Sequence, residues 1–288
     1  MWPFSEIERL ERVRALDPAA SVLSRAVRRV VASQRVRDAL HGVWLGHSLH
    51  PGLAQVTLSS LLGASMIDAV GGGRRESTGL ILTGLLTAPV TVAAGATDFS
   101  VTNTDQQRVG LVHAVVNSAA TTCYLVSLLQ RRRGRSGRLA SVLGGLLSGV
   151  AAGIGGHLAY RQSAGPNHAD RLRDLAPHDW QVLGRLADLP ESHPVQRTVG
   201  DVPVLVLRRG TRVDVLSDRC PHLAGPLHEG QVSGSNGDLR VTCPWHGSEF
   251  RMTDGGVVHG PATAPAASFD TRVVDGNVEV RLPAPADG

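Results

Sequence analysis

Lysine is absent from this sequence, so arginine supplies all 29 of its basic side chains. Cysteine is rare, with 3 in 288 residues, which excludes a small domain held together by several disulfides. Charged residues make up 19% of the chain and aromatic residues 3%. The hydrophobic fraction of 42% nevertheless excludes a largely disordered chain, and the length is typical of a protein with two domains.

The net charge of +4 is unevenly distributed along the chain. Arginine exceeds Asp and Glu from residue 1 to 161, beside long apolar runs, whereas Asp and Glu exceed arginine from 162 to 288. A nucleic-acid-binding protein concentrates its basic side chains on a folded face. The pattern here predicts that nucleic acid is not a partner and that the first half of the chain lies in a lipid bilayer.

Four stretches contain no Arg, Asp or Glu and reach the roughly 20 residues that a helix needs to cross a bilayer. They are residues 49–67, 78–97, 109–129 and 139–160. Buried helices of a soluble protein are the alternative, because these runs are rich in Gly, Ala and Thr. Charges confined to the ends favour the membrane. We therefore expect residues 49–161 to form an all-α transmembrane bundle with four spans, in a multi-pass protein of the cell membrane.

The segment before this bundle, residues 1–48, is expected to form amphipathic helices. Leu23, Val27 and Val30 recur at helical spacing among arginines such as Arg28. This pattern suits a helix that lies on an anionic membrane surface. A packed cytoplasmic helix is the alternative.

Several short motifs occur at the ends of the predicted spans. They are His50-Pro51, Gly95-Ala-Thr-Asp98, Gly110-Leu-Val-His113 and Gly155-Gly-His157. Together they resemble the DUF2231 family of four-helix membrane domains, over residues 49–161. The resemblance implies an architecture and leaves the biochemical role open.

Histidine is costly inside a membrane span, and there it usually marks a functional site. His113 and His157 lie within the third and fourth spans. They are candidate ligands of a haem b held by two imidazoles. The alternative is that His113 hydrogen-bonds Asn117 or a backbone carbonyl and that His157 lies at the membrane interface.

The C-terminal part has a different pattern. Residues 162–179 are polar and include Gly165-Pro166, which predicts a linker. Beyond the linker, over residues 180–288, short β-rich runs alternate with turn residues and predict a small all-β domain of antiparallel strands. These runs are 180–186, 202–207, 212–216, 239–243, 257–259, 268–274 and 277–282.

Two loops of the predicted β-domain combine cysteine with histidine. One contains Cys220 and His222 in a C-x-H motif, and the other contains Cys243 and His246 in a C-x-x-H motif. Thiolates stabilise ferric iron and neutral imidazoles do not, so two Cys on one iron and two His on the other would give an easily reduced [2Fe–2S] cluster. Structural zinc is the alternative for such ligands, although zinc sites usually pair them at other spacings.

The two motifs, with Gly225-Pro226 and Gly247-Ser248 beside them, resemble the Rieske family of the soluble ferredoxin kind over residues 180–282. The resemblance implies one [2Fe–2S] cluster bound by Cys220, His222, Cys243 and His246, and electron transfer as the role. High-potential members add a disulfide between the loops and a tyrosine where this chain has Phe250. Their absence predicts a potential in the lower part of the Rieske range and a domain in the reducing cytoplasm.

Combining both halves, we expect a membrane-anchored Rieske protein that carries single electrons from a reductase or quinol to an acceptor protein. We expect no catalytic residue, because the sequence after His246 contains one histidine, too few for the mononuclear iron site of an oxygenase. An electron-supplying subunit of a multi-subunit oxygenase is one alternative. A redox sensor or anchor in a membrane complex is another.

Overall fold

The computed structural model describes residues 5–235 and 237–283, and the chain divides into two units. The helical unit comprises Met1–Val36 and Ser48–Gly165, and the β unit comprises Arg37–His47 and Pro166–Gly288. We call residues 37–47 the strap. The strap belongs to the β unit, whereas the sequence assigns all of residues 1–48 to one N-terminal helical segment.

In the described part of the chain, seven α-helices lie before residue 157, and the long ones agree with the predicted spans. They are α1 (Ser5–Leu10), α2 (Asp17–Val30), α3 (Gln34–His41), α4 (Leu49–Ala69), α5 (Arg74–Phe99), α6 (Thr104–Arg132) and α7 (Arg138–Gly156). A π-helical turn, His157–Arg161, continues α7. The start of α6 is fixed by a capping box, in which Asn103 and Gln106 each accept the other's backbone N–H.

The helical unit has a polar interior. Its buried positions include hydroxyl and charged side chains, namely Ser65, Asp68, Ser77, Ser127, Arg131, Ser141 and Ser148. Its exposed positions include many large aliphatic ones, among them Met66, Leu86, Val92, Val115, Leu139 and Leu146. A soluble helical protein has the opposite arrangement.

Several of the buried polar side chains hydrogen-bond across the helices. Ser65 Oγ lies 2.8 Å from the Tyr124 hydroxyl and donates to the Ser141 carbonyl at 2.7 Å. Asp68 forms a buried ion pair with Arg131 and accepts a hydrogen bond from Ser77 at 2.7 Å. These contacts tie α4 to α5, α6 and α7 beside a small apolar cluster that contains Leu61, Ala64 and Ile81.

Among the described residues, three helices are long and apolar enough to cross a membrane: Arg74–Phe99, Thr104–Arg132 and Arg138–Arg161. The sequence predicts a fourth span over residues 49–67, which corresponds to α4. That helix does not reach the same hydropathy, because His50, Gln55 and Asp68 lower its average.

The β unit is built from antiparallel strands, as predicted. They are β1 (Gln181–Arg185), β2 (Val195–Val199), β3 (Val202–Arg209), β4 (Arg212–Ser217), β5 (Gln231–Ser233), β6 (Arg240–Thr242), β7 (Glu249–Arg251), β8 (Val257–His259), β9 (Asp270–Val274) and β10 (Asn277–Arg281). Three sheets have the strand orders β1-β10-β9, β2-β3-β4 and β5-β6-β7-β8. The loop from β4 to β5 and the turn between β6 and β7 carry the two Cys–His motifs.

The segment predicted to be a linker, residues 162–179, contributes to the core of the β unit. A short helix, α8 (Leu172–Leu175), begins within it. Ala169, Leu172 and Ala176 are buried in one cluster with residues of β2, β3, β4 and β10. These three apolar side chains close the core of the β unit, although only Leu172 lies within the short helix.

Candidate metal centre

The two motif loops have the same backbone turn. Cys220 N–H donates to the Gly225 carbonyl at 2.9 Å, and the Cys220 carbonyl accepts the Ala224 N–H at 2.8 Å. In the second loop, Cys243 N–H donates to the Ser248 carbonyl at 2.8 Å, and the Cys243 carbonyl accepts the Gly247 N–H at 3.1 Å. The matched turns present a cysteine at equivalent positions of both loops.

Each turn requires a left-handed residue four positions after its cysteine. Gly247 has φ 78° and adopts this conformation without a steric penalty. Ala224 has φ 59°, which is strained for a residue with a Cβ atom. The strain is tolerated because hydrogen bonds on both sides fix the loop.

The two sulfurs lie together in the interior. Cys220 is 1% exposed and Cys243 3% exposed, and neither is in a disulfide. A hydrogen bond from Cys220, together with the backbone N–H groups of Trp245 and His246, lowers the pKa of the Cys243 thiol to about 6. Donating that hydrogen bond and burial raise the pKa of Cys220. The site therefore favours one thiolate before any metal binds, and thiolate is the form that ligates iron.

The two imidazoles lie beside each other at the half-buried end of the loops. The ring centroids of His222 and His246 are 5.0 Å apart, and the rings are nearly perpendicular at 83°. Burial, followed by the charges of His246, His41 and His168, lowers the pKa of His222 to about 3. His222 is therefore neutral at neutral pH, as a metal ligand must be.

One ring nitrogen of the imidazole pair is placed as a metal ligand would be. His222 Nδ1 is buried and has no hydrogen-bond partner among the described residues, and such a group is costly unless something binds it. No group of three or more His, Cys, Asp or Glu side chains in the described part of the chain is placed to hold a single ion. A [2Fe–2S] cluster takes two ligands per iron, so the thiol pair and the imidazole pair match its donor set.

The first loop closes over the second. A Cβ atom at Gly225 would lie 3.0 Å from Cys243 Sγ and 3.1 Å from the Trp245 ring. Only glycine lets the backbone approach this closely. Trp245 is 55% exposed and lies next to His246, so the mouth of the site has an aromatic surface.

Asp218 supports the base of the first loop. Its carboxylate is 2% exposed and accepts the His228 backbone N–H at 2.7 Å and His228 Nδ1 at 2.8 Å. It also accepts the Gln196 side-chain amide at 2.6 Å. Asp218 was not predicted from the sequence, although its position two residues before Cys220 is a usable signal.

Ser248 and the strap support the second loop. Ser248 hydrogen-bonds the Cys220 sulfur, and its Oγ accepts the Ala262 N–H at 2.9 Å. Asp38 of the strap accepts the Gly260 N–H at 2.9 Å and pairs with His259 Nδ1 at 2.8 Å. The strap thus holds the segment that supports Ser248. Sequence reasoning missed it because more than 200 residues separate the partners.

The predicted haem ligands have separate partners in the helical unit. His113 Nδ1 bonds the Ala151 carbonyl at 2.9 Å, and its Nε2 lies 3.1 Å from the Asn117 amide nitrogen. His157 Nε2 pairs with Glu11 at 2.7 Å. These are the hydrogen bonds of the alternative interpretation for His113, and the structure does not pair His113 with His157.

A small antiparallel β fold with matched Cys–His loops over a thiol pair and an imidazole pair defines a Rieske-type [2Fe–2S] domain. The family model for the Rieske [2Fe-2S] domain matches residues 179–270.

The chain is similar to curated proteins and to a solved structure. The anthranilate 1,2-dioxygenase ferredoxin subunit of Burkholderia cepacia is 33% identical over 36% of this chain and 93% of that protein. Ferredoxin CarAc of Metapseudomonas resinovorans is 34% identical over 28% and 73%. The ferredoxin of carbazole 1,9a-dioxygenase from Nocardioides aromaticivorans IC177 is 24% identical, with a TM-score of 0.34, over 36% of this chain and 98% of that one.

This chain belongs to the Rieske [2Fe–2S] family through its β unit. A [2Fe–2S] cluster is accordingly its cofactor, and electron transfer is the role that it shares with the ferredoxin subunits.

Proposed function

We propose that this protein is a membrane-anchored one-electron carrier. Cys220, His222, Cys243 and His246 hold its cluster, two thiolates on one iron and two imidazoles on the other. The observation that carries this assignment is the buried, unpartnered Nδ1 of His222 beside two adjacent thiols. When bound, the cluster accepts and gives up one electron at a time.

The surrounding residues stabilise the negative charge of the site. The backbone N–H groups of Trp245 and His246 point to Cys243, and the Ser248 hydroxyl bonds the sulfur of Cys220. Hydrogen bonds to sulfur favour the reduced state, which carries the extra electron. His246 and Trp245 form the surface that meets a partner, because both are accessible where the ligands reach the outside.

The helical unit serves as the membrane anchor in this proposal and is a DUF2231-type domain over residues 49–161. Exposed aliphatic and buried polar side chains support this assignment, since lipid reverses the usual preference. The cell membrane is the expected location. The β unit contains no cysteine besides the two proposed ligands, so no disulfide joins its loops, and this supports a cytoplasmic orientation.

The strap supports four membrane crossings. It precedes α4 and folds with residues that follow α7, so both must lie on one side of the membrane. The chain between them must cross an even number of times. Three crossings are therefore incompatible with the strap contact, and α4 supplies the fourth.

The first experiment records absorption and low-temperature EPR spectra of the full-length protein in detergent, before and after dithionite, together with iron, sulfide and zinc contents. We expect two irons and two sulfides per chain and an EPR signal that appears on reduction. Stoichiometric zinc without iron would refute the proposal.

The proposal also names the classes of molecule that give electrons to the cluster and take them from it. We expect a reductase or quinol as donor and a protein as acceptor. A second candidate, an electron supply for an oxygenase, is favoured by the dioxygenase ferredoxin subunits among the relatives. Stopped-flow mixing of the reduced protein with a ferredoxin-dependent dioxygenase component, and of the oxidised protein with a quinol, separates the two. Fast electron exchange with only one of them identifies the partner class, and exchange with neither points to a sensor.

A further inference from the structure

The helical unit contains the same histidine arrangement twice. In the α4–α5 hairpin, His50 Nδ1 bonds the Thr91 carbonyl at 3.0 Å, and the imidazole packs on Gly95, where a Cβ would lie 2.7 Å from the ring. In the α6–α7 hairpin, His113 Nδ1 bonds the Ala151 carbonyl at 2.9 Å. Its ring packs on Gly155, where a Cβ would lie 3.0 Å away.

The spacing between the carbonyl and the glycine is also the same in the two hairpins. In each hairpin the first helix supplies the imidazole, and the second supplies a carbonyl and, four residues later, a glycine. One helical turn separates such residues, so each imidazole lies along the neighbouring helix in the same way. The four-helix unit is therefore two similar hairpins, each presenting one histidine.

The carbonyl contacts determine which ring nitrogen is available. A carbonyl oxygen can only accept, so Nδ1 carries the proton in both rings and Nε2 of a neutral imidazole carries the lone pair. His50 Nε2 has no hydrogen-bond partner among the described residues. Asn117 donates to His113 Nε2 and bonds the His113 carbonyl at 3.0 Å as well, so it keeps a partner if the ring is ligated.

Metal-binding histidines usually donate their second ring N–H to a carbonyl or carboxylate, which fixes the ring and its tautomer. Both His50 and His113 meet this condition. The two hairpins pack on each other through α4 against α7 and α5 against α6, so the two imidazoles lie on facing hairpins of one bundle. Cofactor sites of helical bundles are built in this way, from side chains on facing helices.

We propose that His50 and His113 are the two axial ligands of a haem, bound through Nε2 between the two hairpins. Two imidazoles complete the coordination of an iron whose other four positions a porphyrin fills. This pairing differs from the His113–His157 pair that the sequence suggests, because Glu11 occupies His157. The proposed centre is separate from the Rieske cluster.

The test uses the full-length protein, purified in detergent from cells supplied with a haem precursor and then titrated with haemin. The expected result is one haem per chain by the pyridine haemochrome assay and a low-spin Soret spectrum. His50→Ala and His113→Ala should each lower the bound haem at least tenfold. His157→Ala is the matched control and should bind haem as the wild type does.

Circular dichroism of each variant in detergent, followed through thermal unfolding, reports whether the helical unit has folded, so a loss of haem is not confused with a loss of structure. A His50→Gly variant adds a second measurement, because added imidazole should restore the six-coordinate spectrum. Absence of a Soret band after titration would overturn the proposal. So would a haem that persists in both single variants and disappears in His157→Ala.

Discussion

The two units of this protein bury opposite kinds of side chain. The β unit has a conventional core, in which Val204, Leu205 and Phe250 are fully buried. The helical unit buries hydroxyls and an ion pair and exposes side chains such as Leu86 and Leu146. Water drives apolar groups inward, whereas helices in lipid associate through close packing and polar contacts. This difference supports the proposed membrane location of the helical unit.

The largest effect is expected at the buried thiols of the β unit. Cys220→Ser should abolish cluster assembly, because a serine hydroxyl does not replace a thiolate on iron. Iron and sulfide analysis with EPR measures the loss. Cys123→Ser, in α6 of the helical unit, is the matched control and should retain a full cluster. A normal Rieske signal in Cys220→Ser would show that the ligand assignment is wrong.

The second-largest effect is a loss of stability, expected when the buried ion pair of the helical unit is broken. Arg131→Gln leaves the Asp68 carboxylate buried without its charge partner, which should cost about 3–5 kcal/mol of stability. Thermal unfolding in detergent measures this cost. Arg132→Gln, at the exposed neighbouring position, should change stability by less than about 0.5 kcal/mol. Adding Asp68→Asn to Arg131→Gln should recover part of the loss.

A pair of equally exposed residues tests the comparison directly. Leu146 of α7 is 66% exposed and Val182 of β1 is 65% exposed. If lipid surrounds the helices, Leu146→Arg should cost about 2.5–3.5 kcal/mol, whereas Val182→Arg should cost less than about 0.5 kcal/mol. Yield in the membrane fraction and unfolding in detergent are the measurements. Equal effects of the two substitutions would contradict a membrane location of α7.

A substitution in the strap should have a smaller effect on stability. Asp38→Ala removes two hydrogen bonds of a carboxylate to Gly260 and His259, which should lower the stability of the β unit by about 1.5–3 kcal/mol. Chemical denaturation monitored by cluster absorbance measures the change. Asp201→Ala, at an exposed turn of the same unit, should be neutral. If both variants behave alike, the strap contributes nothing to the β unit.

The smallest effect concerns the reduction potential. Ser248→Ala removes the hydroxyl that hydrogen-bonds the Cys220 sulfur, so the reduced state loses stabilisation. A tenfold change in the one-electron equilibrium corresponds to about 59 mV, and we expect a decrease of that order in redox titrations. Ser233→Ala in β5, which is exposed, should leave the potential unchanged. A rise in the Ser248→Ala variant would contradict the assigned direction.

Much of the fold follows from local sequence. Each of the four long apolar runs corresponds to a helix, and the β3–β4 hairpin turns at Gly210 as its residues predict. Strand β2 was missed because Gln196 and Arg197 interrupt its apolar pattern, and β5 and β7 because three residues give too little periodicity.

The residues of the site also fall into two groups, those that local sequence predicts and those that it does not. The ligand motifs are local in sequence, so they could be identified without the fold. Asp38, His41 and His168 reach the site only through tertiary structure, and no spacing rule connects them to Cys220 or His222. The proposed pairing of His50 with His113 likewise depends on how the two hairpins pack, which the periodicity of the sequence does not show.

The strap also constrains how the protein is made. A ribosome completes residues 37–47 first and then synthesises four helices before residue 166 emerges. At about 5–20 residues per second, the strap waits on the order of ten seconds for the strands that it joins. During that time Asp38 and His41 lack their native partners. The β unit can close around its cofactor only after the helices have been synthesised, so cluster insertion belongs to the last stage of biogenesis.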